Sequence, residues 1–102
     1  MNQEERKAIL TRAVRTYGET AQEDMVIEEM AELTKAICKT RRATPGTDAW
    51  ADAAINVIEE VADVQIMLDQ LRIMLGTGTE EQEEAKLIRL KERLDRHDSL
   101  NL

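Results

Sequence analysis

From Val57 the chain repeats an apolar residue at alternating steps of four and three: Val57, Val61, Val64, Leu68, Leu71 and Leu75. That spacing returns to one side of an α-helix every turn, whereas a strand would scatter it over both faces. Ile58, Ile66 and Ile73 add apolar surface away from the stripe. A helix apolar on more than one side belongs in the middle of a structure, here packing on a second subunit as well as on its own chain. An earlier run, Val26, Met30, Leu33 and Ile37, steps by four, three and four and makes a second amphipathic helix.

Breakers divide the rest. Residues 3–17 form a first helix with Ile9, Leu10, Ala13, Val14 and Tyr17 inward, stopped by Gly18. Thr20 with Glu23 three residues on reads as a capping box opening the second helix, which runs to about Arg42. Pro45-Gly46 marks the main loop, residues 43–50, with a short helical turn near 48–54. The third helix covers about 52–75. Gly76-Thr77-Gly78 ends it, and Thr79 with Gln82 reads as a further capping box before a fourth helix over about 80–97, with Leu87, Leu90 and Leu94 inward and a frayed tail from Asp98. The expected fold is all-α: four helices in a bundle-like single domain spanning residues 1–102, completed by oligomerisation. With one Trp, one Tyr and no Phe, its core is aliphatic.

The net charge of −7 leaves no basic footprint for nucleic acid. Nothing approaches the ~20 consecutive apolar residues of a membrane-spanning helix, and the charged N-terminus leads into no apolar segment, so neither membrane nor signal peptide is expected and the location is read as cytoplasmic. The lone Cys38 cannot make an internal disulfide. On a helical stripe with Ile27, Ala31 and Thr34, it reads as a buried thiol.

The acids are concentrated: residues 19–63 hold eleven Asp and Glu against four Lys and Arg. Two short stretches stand out within the two most apolar helices, Glu28-Glu29-Met30-Ala31-Glu32 and Glu59-Glu60-Val61-Ala62-Asp63. Glu29 and Glu32 are neighbours on one helix side, as are Glu60 and Asp63 on the other helix. If those helices pack antiparallel, four carboxylates converge. Hard oxygen ligands in such a set suit magnesium or manganese, with calcium also possible by chemistry. Magnesium keeps open positions for water or phosphate, so a triphosphate site fits better than a structural cage. The plain alternative is a solvated acidic face.

The pair of motifs, E-E-x-x-E and then E-x-x-D after a gap of 27 residues between Glu32 and Glu60, resembles the signature of the MazG-like all-α nucleoside triphosphate pyrophosphatases. The wording from Gln22 to Leu33 and from Ile58 to Leu71 is similar to their short, single-module members, and the likeness covers roughly residues 17–75. It implies a homo-dimer or homo-tetramer that cleaves the α–β phosphoanhydride of a nucleoside triphosphate with Mg²⁺. Glu29, Glu32, Glu60 and Asp63 would be the metal ligands, with Glu28 a further ligand or a group that helps deprotonate water. Lys86 and Arg89 of the last helix would face phosphates.

Other residues on the site side are candidates for substrate contact. Lys35 and Lys39 follow Glu32 on its side of the helix and can meet a phosphate or simply pair with acids and the helix end. Asn56 lies one turn before Glu60, and Gln22 two turns before Glu29. With Tyr17 or Trp50, Gln22 can contact the base, though Tyr17 reads as core and Trp50 as a loop anchor. No E-x-x-H di-iron motif, Cys/His zinc set or phosphate-cradling G-x-x-x-x-G-K-[ST] occurs. Two rivals stay open: a non-catalytic helical interaction module, and a hydrolase of another phosphoanhydride such as a phosphoribosyl-ATP.

Overall fold

A computed structural model describes residues 1–100. Four helices follow in order: α1 (Gln3–Tyr17), α2 (Glu19–Arg42), α3 (Asp48–Leu75) and α4 (Glu80–Leu100). Among the described residues there is no strand. The long antiparallel pair α2–α3 is the body of the molecule, and α1 lies against both.

Single residues set the corners. Gly18 has φ 92° and ψ 155°, a backbone conformation open essentially to glycine alone, and it closes α1 and opens α2 with no further linker. The capping box expected at Thr20 is therefore absent: Gly18 takes the cap position and Thr20 lies inside the helix. α3 starts four residues earlier than expected. The Thr47 hydroxyl accepts the Trp50 amide at 3.2 Å, and the anticipated short turn is simply the first turn of the helix. Gly76, at φ 75°, ends α3 in a Schellman arrangement, with the Gly76 amide on the Ile73 carbonyl and that of Thr77 on Arg72.

The inward positions differ from the expected stripes. Leu10, Val14, Val26, Ala36, Ala53 and Met67 form the buried apolar core, together with the amides of Gln22 and Gln70. Ile9 is 52% and Tyr17 68% exposed, so Tyr17 is not a core residue. Cys38 is exposed rather than buried, along with Ile27 of its stripe. The largest departure is α4. Among the described residues it packs against no other helix, and Leu87, Leu90 and Leu94, expected inward, are all exposed. It also continues to Leu100 rather than fraying from Asp98.

The bundle therefore has three helices and a projecting fourth. The radius of gyration is 17.9 Å, against about 13 Å for a compact domain of this length. A polar chain fixes the departure of α4. Arg72 donates to Asp69 and, through Nε, to the Thr79 hydroxyl, both at 2.9 Å. That hydroxyl donates to the Glu83 carboxylate at 2.7 Å, in place of the expected box with Gln82. Arg6 of α1 completes the set on the other oxygen of Asp69 at 2.5 Å. No described helix is long and apolar enough to cross a membrane.

Candidate metal centre

The antiparallel α2–α3 pair brings three of the expected carboxylates together. Ligand oxygens of Glu29, Glu60 and Asp63 lie within 4.8 Å of one another. Glu29 faces the seam from α2, between buried Val26 and half-buried Leu33. Glu60 faces it from α3, one turn before half-buried Val64, and Asp63 stands on the seam's exposed edge. Helical spacing explains the convergence: Glu60 and Asp63 are three apart on one helix, and Glu29 meets them across an antiparallel contact.

Two features distinguish the cluster from a solvated acidic face. Oε2 of Glu60 is buried and has no hydrogen-bond partner. A buried acceptor left unpaired costs about 1–3 kcal/mol. The carboxyl of Glu29 is raised above the ordinary glutamate value, first by partial burial and then by the charges of Asp63, Glu60, Glu28 and Glu32. The donor set is all carboxylate oxygen, one of them desolvated and orphaned. That chemistry fits a hard divalent cation.

Glu28 and Glu32 are exposed and outside the triad, close enough to act on Glu29 through their charge. Glu32, expected as a ligand, is thus not in the converged set. Lys35 and Lys39 are exposed along the same outer flank of α2 and take part in none of the ion pairs among the described residues. Asn56 is half-buried one turn before Glu60. Trp50 stands 38% exposed in the first turn of α3.

Gln22 does not face the site. Its Nε2 donates to Oε1 of Gln70 at 2.7 Å, and both side chains are buried between α2 and α3. Gln70 was not singled out by the sequence, although a glutamine inside the apolar run Ile66–Leu75 is the signal that could have marked it. Lys86 and Arg89, expected to approach phosphates, lie on projecting α4 and are not brought to the carboxylates of their own chain. A surface concavity follows Lys86, Arg89, Glu92, Arg93 and Arg96 and does not cover the carboxylates, so it marks the flank of a bare helix rather than the candidate centre. The chain matches no protein-family model, no curated protein and no solved structure.

Proposed function

We propose that this chain is a magnesium-dependent nucleoside triphosphate pyrophosphohydrolase of the MazG-like kind, cleaving between the α- and β-phosphates to release a monophosphate and pyrophosphate. The observation that carries the reading is the convergence of Glu29, Glu60 and Asp63 around an unpartnered, buried carboxylate oxygen. The paired motifs supply the reaction class. Mn²⁺ is an acceptable substitute for Mg²⁺ at an all-carboxylate set.

Glu29, Glu60 and Asp63 would hold the metal, with Glu32 and Glu28 available from the exposed flank. A bound divalent cation supplies charge neutralisation at the phosphates and lowers the pKa of a coordinated water. The protein's own contribution is placement. The α2–α3 seam fixes the carboxylates on two rigid helices. Glu28, exposed beside Glu29, is placed to take a proton from water. Lys35 and Lys39 stand free to meet phosphate oxygens, and Asn56 to meet a sugar hydroxyl.

The exposed back of α3, with Ile55, Ile58 and Val61 each at least half exposed, supports a homo-dimer or homo-tetramer. The same apolar surface favours the second reading, a non-catalytic interaction module. Incubation with a panel of ribo- and deoxyribonucleoside triphosphates and Mg²⁺, with pyrophosphate release as the readout, separates the two. Pyrophosphate that disappears in Glu60→Gln supports the enzyme. Folded protein that releases none from any triphosphate supports the module.

A further inference from the structure

α4 carries its residues in an order that has a counterpart elsewhere in the chain. At 100° per residue, Leu87, Leu90 and Leu94 make one exposed apolar stripe, and Lys86, Arg89, Arg93 and Arg96 form a cationic row along one edge of it. Among the described residues, no other helix of the same chain packs against either. The back of α3 repeats the pattern with the opposite sign. Ile55, Ile58 and Ile66 are exposed there, and Asp52, Glu59 and Asp63 run along their edge, all three exposed. The Arg72–Thr79–Glu83 chain holds the base of α4 so that it leaves the bundle instead of folding onto it.

We propose that α4 of one copy lies across the exposed back of α3 in a second copy of this chain, leucines on isoleucines, with its cationic row against Asp52, Glu59 and Asp63. The occupant is a second copy because the missing complement is present in the chain itself: a cation-edged stripe with nothing under it and an acid-edged stripe with nothing over it. A reciprocal exchange of arms covers both stripes twice, which is the closed two-fold arrangement. Apolar stripes set the affinity and the charged edges set the partner and the alignment. One consequence is local to the carboxylates. Asp63 belongs both to the cluster and to the acidic edge, so arginines of the partner's α4 stand beside the carboxylates. The inference does not require that centre to bind metal.

The test uses the full chain in chelator, with mass measured by sedimentation equilibrium. The protein is expected at twice its 11.6 kDa chain mass or a higher even multiple. Leu90→Asp with Leu94→Asp is expected to weaken association by about a hundredfold or more, as loss of a central apolar anchor does, with helicity by circular dichroism showing that the bundle persists. Arg89→Glu with Arg93→Glu, and separately Asp52→Lys with Glu59→Lys, are each expected to weaken it about tenfold. Mixing those two charge variants restores association, because the reversed edges match each other. A monomeric parent overturns the proposal, whether α4 folds back on its own chain or awaits a different partner. So does association indifferent to the leucine substitutions, and so does a mixture of charge variants no tighter than either alone.

Discussion

Glu60→Gln should change the sign of its effect on stability when metal is added. Without metal, the parent keeps an unpartnered buried oxygen at Glu60 and three carboxylates within 4.8 Å. The substitution removes one charge and provides an amide that can donate to Glu29 or Asp63. Relief of an unpaired buried acceptor is worth about 1–3 kcal/mol. Each charge pair at that separation contributes about 1–3.5 kcal/mol between the aqueous and the protein-like dielectric limits, and solvent at half-buried Glu29 and exposed Asp63 screens some of it. A net gain of about 1–2 kcal/mol corresponds to roughly 4–16 °C in Tm for a domain of this size. The measurement is thermal unfolding by circular dichroism at one fixed protein concentration, in chelator and in magnesium. In chelator the variant should melt above the parent. In magnesium at about 100 times its Kd the parent gains about 2.7 kcal/mol and overtakes a variant that gains little. A variant less stable than the parent in chelator, or a parent indifferent to magnesium and manganese, would refute the reasoning.

The raised carboxyl of Glu29 gives the metal-free protein a pH dependence of known sign. The folded state holds that proton more tightly than the unfolded chain, so stability falls as pH rises from the ordinary glutamate value through the raised one. Urea melts across that window should show the slope, and Glu29→Gln should flatten it. Metal competes with the same proton, so affinity by calorimetry should fall as pH is lowered through the window. Gln22→Ala leaves the buried Gln70 oxygen without its donor and should cost about 1–3 kcal/mol in urea, whereas replacing both glutamines with leucine should cost far less. Asp69→Ala strips a shared carboxylate from Arg6 and Arg72 and should destabilise by about 1–2 kcal/mol, with hydrogen exchange rising at residues 76–80, where Arg72 also holds Thr79.

Helix existence was legible because breakers and periodicity agree. Gly18 and Gly76 adopt positive φ where the apolar runs stop, and each of the four expected helices is present, with α3 starting earlier and α4 running further than the spacing indicated. The buried faces were less legible. Periodicity says which residues share a side, not what that side touches, so Leu87, Leu90 and Leu94 read as inward although no other described helix packs against α4. Cys38 and Tyr17 misled for the same reason. Of the expected carboxylates, Glu29, Glu60 and Asp63 converge because an antiparallel pair brings them to one level. Glu32 is exposed and stays outside that set, although it shares a side of α2 with Glu29. Gln22 was visible only as a polar residue on the site side. Pattern reading scores a glutamine as solvent-seeking, and only the partner amide on α3 makes its burial affordable.

The Gln22–Gln70 pair also determines which alignment of the α2–α3 hairpin is populated. Leucine and valine faces are smooth, and sliding one helix by a turn exchanges one aliphatic contact for another at little cost. The two amides do not permit that exchange. A slipped hairpin buries both without partners, at about 2–6 kcal/mol together, which reduces a misaligned state to a few per cent or less. The pair lies two turns from Glu29, about 10 Å along the helix. It therefore acts as an indexing pin: the level at which carboxylates from two helices meet is chosen not by their own mutually repelling charges but by a neutral bond that closes in one alignment only.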